Sequence, residues 1–138
     1  MRSITQTAAM LLAATLSTAL PGAVHAAGDT TPAQQLERFA AQAGAAGNAA
    51  RGQAFFTARH GGEWSCASCH GAPPLDVGRH ASTGKRIDPL APAANPAAFT
   101  DSARVDKWLR RNCKDVLSRE CSAAEKADVL AYLVGLKR

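Results

Sequence analysis

The chain has 138 residues and a formal charge of +5, and its 31 alanines make up about half of the 46% hydrophobic content. That length holds one domain and excludes a multidomain enzyme, a large parallel-sheet fold and a polytopic membrane protein. With the first 26 residues set aside as an export signal, the remaining 112 hold only 21 Val, Leu, Ile, Phe, Trp or Tyr, a core thin enough to call for a metal, cofactor or disulfide as staple.

Met1-Arg2 is a short positive start, Ile4 to Leu20 is weakly apolar, Pro21-Gly22 breaks the run, and Val24-His25-Ala26 supplies small residues at a cleavage site. This pattern predicts a Sec signal peptide over 1–26, cleaved after Ala26 with Ala27 as the neighbouring candidate. The alternative is an uncleaved anchor. The stretch is short and Thr-rich for a bilayer span, which wants ~20 predominantly apolar residues, so no stable membrane insertion is expected. The domain over 27–138 is then expected in the periplasm, an oxidising compartment. Without Arg2 it carries 15 basic against 11 acidic residues. That mild excess, with no nucleic-acid motif, reads as a bias towards acidic protein partners.

Thr31-Pro32-Ala33-Gln34 combines an N-cap, a proline at the first helical position and a capping-box glutamine, predicting a helix through Leu36 and Phe39 to Gly44. A second helix is expected from Asn48 to Gly61-Gly62. It places Gly52 and Phe56 on one face, and Gly52 costs ~1 kcal/mol against Ala unless it permits a close helix approach. His60 reads as a helix-end residue favoured by the dipole.

Cys66-Ala67-Ser68-Cys69-His70 follows. At this spacing two thiols add to the vinyl groups of haem and the next residue ligates iron. Cys-x-x-Cys alone also suits a redox dithiol or half a zinc site. Export, the lack of strand–helix alternation and the lack of a second ligand pair at zinc spacing favour one covalent haem c, attached at Cys66 and Cys69, with His70 as proximal ligand. The other ring nitrogen of His70 is expected to donate to a backbone carbonyl near Pro89.

Five of the seven prolines, Pro73, Pro74, Pro89, Pro92 and Pro96, fall in a segment expected to be loop wrapping the haem edge. Within it Lys85 and Arg86 are candidate contacts for the haem propionates. Asp101 or Thr100 caps a third helix to about Asn112, and Ser122-Ala123-Ala124-Glu125 is a capping box opening the last helix. Cys113 and Cys121 remain, eight apart, and the oxidising compartment predicts a disulfide contributing ~2 to 3 kcal/mol less any strain. No strand or repeat is evident. The expected fold is all-α, a small cytochrome c fold of about four helices around the haem, with Trp64 and Trp108 packed on the cofactor and Tyr132 at helix contacts.

The only methionines are Met1 and Met10, both in the signal, which removes the Met/His ligation of ordinary electron carriers. His60, His80, a lysine, an asparagine or no ligand remain. Val105, Trp108, Leu109 and Asn112 form one helical stripe, so Asn112 points where the apolar residues point and offers a weak neutral oxygen donor. The plainer reading is an asparagine at a helix C-terminus. His80 on the far face would give a bis-His carrier; on the near side it would meet a propionate. Arg104, Lys107, Arg111 and Lys114 form a basic helix face, either a docking surface for an acidic donor or simply solvated.

The run Lys107-Trp108-Leu109-Arg110-Arg111-Asn112-Cys113-Lys114-Asp115-Val116-Leu117, then Arg119-Glu120-Cys121 and Glu125 to Leu133, resembles the sphaeroides haem protein family of monohaem cytochromes c. The haem motif and Gly84-Lys85-Arg86-Ile87-Asp88-Pro89-Leu90-Ala91-Pro92 extend the likeness over nearly the whole mature chain. The resemblance implies a class-I-like cytochrome c fold, with Asn112 as sixth ligand of ferric iron beside a Cys113–Cys121 disulfide. In that family the asparagine leaves on reduction, opening ferrous iron to oxygen or nitric oxide, and a dihaem cytochrome c donates electrons. The function expected is one-electron transfer with redox-gated binding of a diatomic gas. The alternative is a simple bis-His or His/Lys-ligated electron carrier. An oxygen- or nitric-oxide-linked oxidoreductase, which needs turnover with a donor, stays open beside these; a gas sensor is disfavoured because no partner-binding module is visible, no distal acid–base pair suggests peroxidase chemistry, and no catalytic residue is assigned.

Overall fold

A computed structural model describes residues 28–138, and the signal-peptide reading of 1–26 lies outside the described residues. Helix α1 (Pro32–Ala43) starts at the foreseen capping box and ends on Gly44 at φ 66°, whose N–H reaches the carbonyls of Ala40 and Ala41. Helix α2 (Ala49–Thr57) is capped by the Asn48 side chain. A short helix α3 (Cys66–His70), a two-residue antiparallel pair β1 (Gly78–Arg79) and β2 (Arg86–Ile87), α4 (Ser102–Leu117) and α5 (Ala123–Gly135) follow.

Helix α5 is the spine, packing on both α1 and α2. Its residues reach two buried clusters, one of Phe39, Val105, Ala127 and Leu130, the other of Phe56, Val129, Tyr132 and Leu133. Gly52 makes the α2–α5 crossing possible, because a Cβ there would overlap the Asp128 carbonyl. Beside it the buried Asp128 carboxylate accepts from Arg51 Nε at 2.7 Å, Arg51 Nη2 at 2.8 Å and Asn48 N–H at 2.7 Å, pinning the start of α2 to α5. Helix α1 is tied to α4 through Arg38–Asp106 at 2.7 Å and Gln35 Nε2 to Ser102 Oγ at 2.9 Å.

Three expectations are corrected. Helix α2 stops at Thr57 instead of Gly61-Gly62, because the chain turns through His60 at φ 52° and Gly61 at φ 82°, and the His60 ring Nε2 donates to the Phe55 carbonyl at 2.8 Å. Helix α4 runs five residues past Asn112 to Leu117 before Ser118 turns left-handed at φ 57°. Asn112 is therefore a mid-helix residue and not a C-terminal one; Val116 continues the apolar stripe beyond it. The β1–β2 pair was not foreseen, since two-residue strands carry no period for a pattern to show. The proline-rich segment is otherwise the expected loop, ordered by the Pro74 carbonyl, which accepts from both Leu90 N–H and Ala91 N–H.

Candidate haem site

Ser65 caps α3 and exchanges hydrogen bonds with Ser68, giving a single turn in which Cys66, Cys69 and His70 stand at i, i+3 and i+4 on one face. All three line one cavity of about 1330 Å³, larger than the ~300–1,000 Å³ of ordinary ligand pockets. Phe55, Trp64, Leu90 and Phe99 supply apolar wall, and α4 contributes Val105, Trp108, Leu109, Asn112 and Val116 to the same lining. Phe99 adopts φ 62° and packs against both core clusters. No sequence signal marks that conformation for an aromatic residue.

Cys66 and Cys69 are not bonded to each other and stand ready for the two vinyl groups. Burial pushes the Cys66 thiol up to about 11. Burial also lowers the His70 pKa, so a neutral imidazole with a lone pair is presented. His70 Nδ1 is buried without a hydrogen-bond partner. The expected donation to a carbonyl of the loop near Pro89 is not made; the Pro89 carbonyl accepts from Asn95 Nδ2 at 3.0 Å, in a turn where Asn95 Oδ1 accepts from Ala97 N–H. Asn95 also lines the site, and its only mark in the sequence is the Asn95-Pro96 turn signal.

The predicted residues largely converge. Trp64, Lys85, Arg86, His80, Trp108 and Asn112 all border this cavity. Trp108 is 44% exposed and flanked by Lys107 and Arg111, whose charges lie 5.6 and 5.5 Å from its ring centroid. Arg86 pairs with Asp88 at 3.5 Å on the surface. His60 stacks on Phe55 with centroids 4.4 Å apart and stays off the cavity wall. The Asn112 amide makes no hydrogen bond among the described residues and is exposed towards the cavity it lines.

Directly after Asn112, Cys113 and Cys121 stand at disulfide distance, with Cα atoms 5.5 Å apart. The loop between them is clamped to α5 by Arg119, which donates to both oxygens of Glu125 at 2.7 and 2.8 Å, while Ser122 N–H donates to the same carboxylate. The Arg119 guanidinium, foremost, holds the Glu125 carboxyl down to about 2, against an ordinary 4.5. A lowered folded value means this contribution is complete above pH 4.5 and disappears as pH falls towards 2. Glu125→Gln is expected to lower the Tm by a few degrees at pH 7 and to leave it unchanged near pH 2, as read by thermal melts across that range.

Two thiols and a histidine on one helical face, a wide apolar cavity and basic side chains at its rim match the donor set and shape of a covalently attached haem. Residues 42–133 match the family described as a domain of unknown function, DUF1924. The chain is 52% identical over 111 residues to cytochrome c-type protein SHP of Cereibacter sphaeroides, covering 78% of this chain and 85% of that protein. The chain belongs to the SHP family of c-type cytochromes. It is a monohaem cytochrome c with one covalent haem. Its fold matches oxidised SHP, described as an oxygen-binding cytochrome c, at TM-score 0.74 and 50% identity over 79% of this chain and all of that one. It also matches the solution structure of cytochrome c'' from Methylophilus methylotrophus, a study of haem-ligand detachment, at TM-score 0.67 and 33% identity over 78% and 94% of the two chains. The helical fold and the family expected from the sequence are both borne out. Among the described residues no helix is long and apolar enough to cross a membrane.

Proposed function

We infer that this chain is an exported cytochrome c whose iron site is gated by its own oxidation state. Cys66 and Cys69 carry the haem and His70 ligates from one face. Asn112 would ligate iron in the ferric state and release it on reduction. Haem supplies a one-electron couple and, with a coordination position vacant, a site for oxygen or nitric oxide.

Asn112 carries this reading. It lines the same cavity as Cys66, Cys69 and His70, its amide has no other partner among the described residues, and residues 28–138 contain no methionine to replace it. A neutral amide oxygen is a hard donor that the softer ferrous iron holds poorly, which gives the ligand a reason to leave. The restraint at Cys113–Cys121 and the Arg119–Glu125 clamp keep the backbone of α4 in place, so a change at Asn112 is confined to its side chain. Lys85 and Arg86 fit a role at the haem propionates, and Trp64 and Trp108 fit packing on its faces. The oxygen binding named for SHP and the ligand detachment named for cytochrome c'' support the same reading. Periplasmic location follows from the signal over 1–26. The electron donor is a dihaem cytochrome c, docked at the basic face of Arg104, Lys107 and Arg111.

The test is the absorption and resonance Raman spectrum of the holoprotein, ferric and then anaerobically reduced, before and after oxygen or nitric oxide. Six-coordinate ferric iron that becomes five-coordinate on reduction and then takes up gas is the expected result. A ferrous spectrum that stays six-coordinate and ignores both gases would mean a permanent second ligand from His80 or a lysine, and a simple electron carrier.

A further inference from the structure

The turn between β1 and β2 holds a histidine whose proton position is set by the main chain. His80 Nδ1 accepts from Thr83 N–H at 3.3 Å and lies 3.2 Å from Ser82 Oγ. A backbone N–H can only donate, so Nδ1 bears a lone pair, the Ser82 hydroxyl is the second donor, and the neutral ring carries its proton on Nε2. No hydrogen bond to Nε2 occurs among the described residues.

The turn itself is closed by His80 N–H to the Lys85 carbonyl and Gly84 N–H to the His80 carbonyl, both at 2.8 Å. On either side of His80 the chain is anchored to the haem-attachment helix. Gly78 lies against the Cys69 carbonyl with no room for a Cβ, and Ala81 N–H donates to Cys69 Sγ at 3.2 Å. His80 is thus held relative to the sulfur that would bear the cofactor, and it borders the same cavity as Lys85 and Arg86.

We propose that His80 donates its Nε2–H to a carboxylate of the haem, a positioning residue that raises the reduction potential and not an iron ligand. The proposal rests on attachment of haem through Cys66, Cys69 and His70. Ligation through Nε2 would require the proton on Nδ1, where it would confront the Thr83 N–H and break both hydrogen bonds in the turn. A donor at the carboxylate disperses negative charge that otherwise favours ferric iron, so removing it makes the ferric state easier to keep.

The experiment is potentiometric titration of the holoprotein and of His80→Phe and His80→Gln, with the ferric and ferrous absorption spectra of each. Gln places an amide N–H close to where Nε2 stands. His80→Phe is expected to lower the equilibrium constant for reduction by up to about tenfold, which is about 59 mV for one electron. His80→Gln is expected to recover most of that loss, and coordination number is expected to stay as in the parent. An unchanged potential in His80→Phe, or a Gln variant as low as Phe, would end the proposal. Loss of an axial ligand in either variant would also overturn it by making His80 a ligand. If His80→Phe fails to hold haem, His80→Ala is read in its place. A parent protein whose pyridine haemochrome lacks two thioether bonds would instead defeat the underlying attachment reading.

Discussion

Asn112→Ala is expected to leave the haem covalently attached while removing the sixth bond of the ferric protein. The Asn112 amide makes no hydrogen bond within the described chain, so its truncation strands no partner. It sits inside α4, not at a cap, and Ala is the better helix former there by a few tenths of a kcal/mol up to ~0.7. The melting temperature of the apo fold should therefore hold or rise slightly. An asparagine that served as a helix cap would instead cost ~1 kcal/mol on removal. Ferric iron freed of its amide ligand should bind an added anion such as cyanide about tenfold faster or more, the factor that ~1.4 kcal/mol represents. Gas uptake by the reduced variant should match the parent if, as proposed, the side chain leaves the iron on reduction. Stopped-flow mixing of ferric protein with cyanide and of reduced protein with oxygen reads both arms. Unchanged cyanide kinetics with an unchanged ferric spectrum would remove Asn112 from the iron and move attention to His80 or a lysine.

Gly52→Ala is expected to destabilise the protein by ~3 kcal/mol, the opposite sign from the ~1 kcal/mol gain that the same change brings in an open helix. The added methyl would meet the Asp128 carbonyl and the Val129 backbone nitrogen. Neither is a side-chain end that can swing aside, so α2 has to move off α5. That displacement also pulls Arg51 from Asp128 and loosens Phe56 over Tyr132 and Leu133, next to the cavity wall. Gly135 is the control: nothing lies within 4 Å of a Cβ built there, and Gly135→Ala should be neutral or mildly stabilising. Thermal melts of the three holoproteins decide it, and equal Tm values for parent and Gly52→Ala would mean that the helices part at little cost.

Much of this was legible from local spacing. The capping boxes at Thr31 and Ser122 marked where α1 and α5 begin, because a cap is made by residues three apart. Gly52 stood out as a glycine inside a helix with an aromatic four residues on, and its close approach to α5 is what the structure holds. The stripe of Val105, Trp108, Leu109 and Asn112 does face one cavity. The spacing places the end of α4 at Asn112 because an asparagine beside a cysteine resembles a terminus, whereas the helix runs on to Leu117 and ends at the left-handed Ser118.

The sequence by itself determined that two thiols and a histidine share one turn, that methionine is missing from the described chain, and that Cys113 and Cys121 are the two cysteines left to pair. The first is a matter of short separation along the chain, which constrains geometry directly, and the other two are matters of composition. Only the tertiary structure decided that Asn95 donates to the Pro89 carbonyl while His70 Nδ1 has no partner, that the chain at His80 is tied to Cys69 through Ala81 N–H, and that Asn112 lines the same cavity as the haem motif. Those outcomes depend on which donor reaches a given acceptor first when distant segments pack, and neither composition nor periodicity carries that information.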